Sequence, residues 1–392
     1  MNSQNTKVHI KLWHREFWQL AIANLFLSMS VYMLIPVLPQ WLIQEENFSM
    51  LEAGLSMGIF ALGLFLFGPF VSYMVQHYRR NRVCMHAIVL LVLCHGLLWY
   101  IDNLKSEFVE FGLILLQRFV LGSLFGFAQM VLSSTLVIDT CESFQRTEAN
   151  HSASWFGRFA LSLGPLAGIV IQQIWGFNIV IIVAAALALA AVLLIRTVDF
   201  PFRAPEEHVH VFSCDRFLLD KGGVLFLNLL MITIAIGIAI GQMDSLQEFG
   251  MMMIGFFLAL LAQRFIFRDA ELKSEVVTGL ILLSAALLII QTRHTVAAGY
   301  ISSTFIGMAT GIIGTRFLLF FIKLSRHCQR GTSQSSFMLA WESGLALGVG
   351  VIYLMTEWLP QQLNIIALAL AIAALLMYNW MTHSWFMTHK NR

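Results

Sequence analysis

Three charged side chains stand well inside otherwise apolar stretches of this chain: Arg118, Arg158 and Glu342. A carboxyl group and two guanidinium groups in such surroundings can move a proton or hold an anion. Burial penalises the charge of Glu342 and a nearby arginine offsets that penalty, so a carboxyl balanced between the two can load and release a proton. A charge near the centre of a bilayer costs about 2.5–3.5 kcal/mol even on a lenient insertion scale, so each of these residues needs a partner or a wet cavity. Either they serve substrate or proton coupling, or they are structural: an interhelical ion pair for Glu342 and Arg158, backbone hydrogen bonds for Arg118. Glu342 reads as the one carboxylate well inside an apolar run, and Arg316 is expected to snorkel toward the level of Lys323.

Asn24, Ser28 and Tyr32 recur at helical spacing on one face of the first apolar run, so they either line a cavity or bond neighbouring helices. Gln129 joins them as a cavity candidate. Ser49 and Glu52 have the spacing of a capping box, and Asp244 and Glu248 are expected to be solvated in a turn. His208, His210 and Cys214 lack a second ligand pair, so no metal site is expected. The five cysteines, Cys84, Cys94, Cys141, Cys214 and Cys328, are too scattered for a disulfide framework. No phosphate-binding loop, nucleophile elbow or zinc motif occurs, so neither catalysis, direct ATP coupling nor a cofactor is expected.

The elements that must hold these residues follow from composition. Of 392 residues, 58% are hydrophobic and 12% charged, with a net charge of +2 and a mean hydropathy of +0.76. Soluble domains carry about 25% charged residues. The composition therefore excludes a soluble enzyme, a disordered chain and a nucleic-acid binder, and leaves an all-α integral membrane protein. Apolar runs of membrane length fall at 17–40, 50–77, 83–100, 109–133, 151–172, 178–196, 222–240, 248–267, 276–290, 297–322, 333–354 and 363–385, twelve in all. The polar interruption with Pro201 and Pro205 splits them into a first half at 1–196, a linker at 197–221 and a second half at 222–392.

Basic residues alternate sides along the chain. One set holds Lys7, Lys11, Arg15, Arg79, Arg80, Arg82, Arg146, Arg196, Arg203, Arg216, Lys221, Arg264, Arg268, Lys273, Lys323, Arg326, Arg330, Lys390 and Arg392, and the other only Lys105 and Arg293. By the positive-inside rule both termini and the linker face the cytoplasm. Short loops and the lack of an organellar signal point to a bacterial inner membrane, and the chain is expected to be a multi-pass monomer in the lipid bilayer. Anchoring Gln145-Arg146 on Gln329-Arg330 sets Gly164 on Gly348, Asp139 on Lys323 and Arg158 on Glu342, as expected of two halves with one architecture whose polar positions diverged.

With twelve runs and a central linker, the motifs resemble those of the major facilitator superfamily along the whole chain. Arg118-Phe-Val-Leu-Gly122-Ser-Leu-Phe-Gly126 is similar to the family's fourth-helix motif. Gly157-Arg158 followed by Gly164-Pro165-Leu-Ala-Gly168 is similar to the glycine-proline motif of its drug/proton antiporter branch, and Tyr32 through Pro39 to that branch's first helix. The loop after the second helix diverges. Gly68-Pro69 is followed by Ser72, the basic residues Arg79, Arg80 and Arg82 come about a turn late, and no aspartate takes its usual place. Those arginines either form a latch with Asp139 or Glu142 or are a solvated positive-inside cluster. The branch's acidic partner for the fourth-helix arginine is missing from the first helix.

The resemblance implies two six-helix halves that rock about a central site, moving a small molecule coupled to protons, with export favoured. Gly157, Gly164, Pro165 and Gly168 are then gating or packing positions, and Arg118, Arg158 and Glu342 the coupling residues. Proton-coupled uptake of a polar or anionic nutrient is the alternative, and a non-transporting membrane receptor or assembly partner the alternative of another kind.

Overall fold

Each apolar run satisfies its own backbone hydrogen bonds by coiling into a helix, which is what a lipid environment demands. A computed structural model describes residues 11–103, 111–200, 210–293, 295–326, 329–356, 358–359 and 362–391. Lys7, Lys105, Pro201, Arg203, Pro205, His208, Cys328 and Arg392 lie outside the described residues. Among the described residues twelve helices are long and apolar enough to cross a membrane. They are α1 (Arg15–Gln44), α2 (Met50–His77), α3 (Arg80–Asp102), α4 (Phe111–Asp139), α5 (Arg146–Trp175), α6 (Phe177–Arg196), α7 (Gly223–Ile240), α8 (Leu246–Ile266), α9 (Leu272–Thr292), α10 (Val296–Leu324), α11 (Arg330–Thr356) and α12 (Leu363–His389). Each overlaps one expected span, and the main differences are extra turns at the ends.

Local chemistry sets several ends. Ser49 and Glu52 form the expected capping box at the start of α2. Ser245 and Glu248 form a second at the start of α8, so Glu248 is a cap and not a merely solvated acid. Pro36 has no N–H for the carbonyl one turn back, that of Tyr32, and the first helix is interrupted at Met33. A π-turn at Leu132–Leu136 widens α4 where Ser133, Ser134 and Thr135 cluster.

Glycine fixes how closely the helices approach. A Cβ on Gly122 or Gly126 of α4 would strike the carbonyl of Phe60 or Leu64 in α2, and a Cβ on Gly168 of α5 would strike that of Met33 in α1. In the second six helices, Gly348 of α11 stands in the same relation to Ile234 of α7. The fifth helix thus packs on the first as the eleventh packs on the seventh.

Contacts between the two sets of six lie at both ends and between them. Away from the linker, Gly54 of α2 meets Gly350 of α11, where a Cβ would come within 2.8 Å of a carbonyl. Ser162 Oγ, midway along α5, donates to the carbonyl of Phe249 in the first turn of α8 at 2.6 Å. At the linker end, the Arg216 amide donates to Thr332 Oγ1 at 2.9 Å, its guanidinium donates to Thr135 Oγ1 at 3.3 Å, and the Leu219 amide donates to Ser336 Oγ at 2.8 Å. The described part of the linker therefore ties α4 to α11 across the bundle.

Candidate functional site

α1 and α11 bring Tyr32 and Glu342 together. The Tyr32 hydroxyl donates to Glu342 Oε1 at 2.5 Å, and both residues are buried. Tyr32 is held from behind by α5, because Gly164 has no side chain and its Cβ would lie 3.1 Å from the Tyr32 Cβ. The glycine-proline segment thereby places the hydroxyl that meets the carboxylate.

Arg158 lies at the same depth. It follows Arg146, the start of α5, by the same interval at which Glu342 follows Arg330, the start of α11. Its guanidinium sits over the rings of Trp155 and Trp341, 5.1 and 5.9 Å from their centroids. Gly314 of α10 makes room for it, since a Cβ there would stand 2.6 Å from Arg158 Nε and 3.0 Å from the Trp341 ring. Arg158 is 3% exposed, and neither Nη1 nor Nη2 has a hydrogen-bond partner. Among the described residues no ion pair joins an arginine to Glu342, whose hydrogen-bond partner is Tyr32.

Arg158 and Glu342 line one small central cavity of about 50 Å³. The other residues expected there, Asn24, Ser28, Tyr32 and Gln129, line it too, as does Gly157. Gln129 Nε2 donates to Ser28 Oγ at 2.9 Å, and Asn24 Nδ2 donates to the carbonyl of Ala153 at 3.1 Å. Asn150, Gln334 and Phe337 complete the walls and were not foreseen, because isolated polar or aromatic residues in a span carry no spacing signal.

Arg118 stands apart from this cavity, in the half of α4 away from the linker. It is 4% exposed, its Nε reaches the carbonyl of Ser56 at 3.4 Å, and its guanidinium lies 5.2 Å from the Phe60 centroid. A path of rings joins it to the centre, with Phe60 5.8 Å from Phe125 and Phe125 6.3 Å from Tyr32. His95 of α3, fully buried, lies within reach of the Arg118 charge and was also not foreseen.

Ion pairs also lie away from the cavity. Arg80 Nη1 meets Asp139 Oδ2 at 2.5 Å at the linker end, while Arg79 and Arg82 are exposed. Arg316 pairs with Glu275 of α9 and is not a snorkelling cation. Glu275 is 1% exposed but lies in the first turn of α9, so among the described residues Glu342 remains the carboxylate well inside a span. The ninth run as read from the sequence starts one residue too late to include it. A larger space of about 1150 Å³ opens at the linker end beside Arg79, Arg80, Arg82 and Tyr73. It is bordered by Phe200 and Val211, which flank residues outside the description, and it holds neither Arg158 nor Glu342.

No curated protein sequence matches the chain. Solved structures share its fold at low identity. A mutant of the nucleoside transporter NupG has a TM-score of 0.67 at 13% identity, covering 93% of this chain and 100% of that one. The human organic anion transporter MFSD10 (TETRAN) has 0.69 at 14%, covering 93% and 98%. The POT family transporter PepTSo has 0.69 at 10%, covering 96% and 99%. A family model described as Major Facilitator Superfamily matches residues 20–349, most of the twelve-helix bundle, and the chain belongs to that superfamily.

Proposed function

We propose that this secondary transporter couples small-molecule movement to protons, with Glu342 as the proton site and Tyr32 as its partner. Membership of the superfamily makes the chain a membrane transporter rather than an enzyme. The observation that carries proton coupling is the bond from Tyr32 to Glu342. It runs between the first and second sets of six helices, at a cavity narrowed from both ends. Changing the charge of Glu342 changes the strength of a contact that alternating access must break.

In this reading residues 1–196 and 222–392 rock about the cavity and 197–221 links them. Arg118 acts on the site through Phe60 and Phe125, which pack toward Tyr32, rather than by touching substrate. Arg80 and Asp139 form a latch at the linker end. That end faces the cytoplasm of a bacterial inner membrane, in keeping with its basic residues, and the monomer is the working unit.

Export of an amphipathic molecule is the direction supported by the likeness of Gly164, Pro165 and Gly168 to drug/proton antiporters. Uptake of an anion is the second reading, favoured by the unpaired guanidinium of Arg158. The deciding experiment uses purified protein in liposomes with an imposed pH gradient. Proton coupling requires that Glu342→Gln lose the response to the gradient while retaining exchange of substrate between equal pools. A variant still driven by the gradient would remove Glu342 from the coupling step.

A further inference from the structure

We infer that Arg158 binds the carboxylate of a monoanionic ligand with a flat aromatic body, which sits against Trp341 and Phe337. This inference rests on reading the central cavity as the transport site. Arg158 is buried, lines the cavity and leaves both terminal nitrogens unpaired. A guanidinium with its outer N–H groups free presents the two-pronged geometry that matches a carboxylate. The surroundings suit one negative charge: among the described residues Arg158 is the one cation lining the cavity, and a second anionic group would meet Glu342.

The walls describe the rest of the ligand. Trp341, which lines the cavity, already presents a ring face to the guanidinium, as does Trp155, which is outside the lining. Phe337 is stacked with Trp341, their centroids 5.7 Å apart. A planar ring bonded to a carboxylate continues that arrangement. Asn24 Oδ1, Asn150 Oδ1 and Gln334 Oε1 are buried without partners around the same cavity, so hydroxyl or N–H groups on the ring are accommodated. The cavity of about 50 Å³ is smaller than a benzoate, so the ligand enters when the helices of the two halves part.

The placement also sets the sign of coupling. A charged Glu342 competes with the ligand for the field of Arg158, whereas a protonated Glu342 leaves that field to the ligand. Tyr32 on α1 faces Glu342. His151 on α5 is a further titratable group, and it feels the charges of both Arg158 and Arg316 of α10. Proton and organic anion therefore bind together, which is the arrangement of a symporter and favours the uptake reading over export.

The test is ligand-induced thermal stabilisation of the purified full chain. The probes are a panel of benzoates, hydroxybenzoates and naphthoates, set against amines of the same skeletons, at pH values from 5.5 to 8.5. The carboxylates are expected to stabilise the protein, more strongly toward acid pH, and the amines not to. Arg158→Gln is expected to weaken carboxylate binding about tenfold or more, the scale of a charge-assisted hydrogen-bond pair. Arg158→Lys retains the cation and is expected to retain part of the effect, and the ligand-free melting temperature of each variant reports folding. Stabilisation by the amines instead, none by any carboxylate, or carboxylate stabilisation unchanged in Arg158→Gln overturns the inference. Carboxylate binding that depends on Arg158 but has the same pH dependence in Glu342→Gln keeps the anion site and rejects Glu342 as the proton site.

Discussion

The hydroxyl of Tyr32 donates to Glu342 at 2.5 Å across 310 residues of sequence, and neither side chain is where it is by its own helix alone. Tyr32 precedes the interruption of α1 at Met33, and Gly164 of α5 lets that turn come close. Phe125 packs its ring edge-on to Tyr32 from α4. Four helices thus meet at one hydrogen bond, so a change in the proton occupancy of Glu342 is felt by elements from both halves. A contact of this kind is the two-state element that a coupled transporter needs.

Removing the donor while keeping the ring tests that bond. Tyr32→Phe is expected to lower gradient-driven transport about tenfold, the scale of a lost hydrogen bond to an ionisable group. Glu342→Gln keeps an oxygen that can accept from Tyr32, so its melting temperature is expected to fall less than that of Glu342→Ala. The two positions are in contact, so melting of Tyr32→Phe, Glu342→Ala and the double variant should be non-additive. Additive losses would mean that the bond contributes nothing to the fold.

The glycines of α5 give a graded prediction. A Cβ on Gly168 would overlap the Met33 carbonyl, one on Gly164 would sit 3.1 Å from Met33 N and the Tyr32 Cβ, and one on Gly157 would stand 3.6 Å from Asn24 Nδ2. Overpacking a tight contact costs about 1–3 kcal/mol. Melting temperature and transport rate are expected to fall most for Gly168→Ala, less for Gly164→Ala and little for Gly157→Ala, whose new contact is ordinary. Equal losses at all three would show that helix propensity, rather than the approach to α1, governs the series.

These glycines also show how far the sequence could be read. Span positions were legible because twelve apolar runs leave little choice, and Asn24, Ser28 and Tyr32 because a polar stripe at helical spacing is costly in lipid. Pairings between distant helices were not. The alignment of the two halves set Arg158 on Glu342 and so hinted that both occupy one depth, yet nothing in it shows tryptophan rings, and not a carboxylate, facing the arginine. Glu275 was lost through a boundary misplaced by one residue, and His95 and Ser162 because a single polar residue in an apolar run has no pattern to betray it.

The pair of Arg80 and Asp139 joins the start of α3 to the end of α4, with side chains only 15% and 10% exposed. Asp139→Asn and Arg80→Gln are each expected to slow transport several-fold, with a smaller effect on melting than the glycine variants because the pair borders the open space at the linker end. Arg82, exposed at the same turn, serves as the control: Arg82→Gln is expected to stay near the unmodified rate. The exchanged pair, Arg80→Asp with Asp139→Arg, should recover part of the lost rate. No recovery would leave the basic turn as an orientation signal only.

Arg316 and Glu275 offer the opposite expectation, an ion pair that stabilises without coupling. They join α10 to α9 wholly within the second six helices, away from the cavity of Tyr32 and Glu342. Removing one partner leaves a charge without its counter-ion, at a cost of about 3–5 kcal/mol, whereas replacing both by apolar residues of similar size is often neutral or better. Glu275→Gln is therefore expected to lower the melting temperature strongly, and Glu275→Leu with Arg316→Met to restore it. The double variant should keep its response to an imposed pH gradient, because neither residue touches the moving contact. A double variant that melts normally but no longer follows the gradient would move the coupling role from Glu342 to this pair.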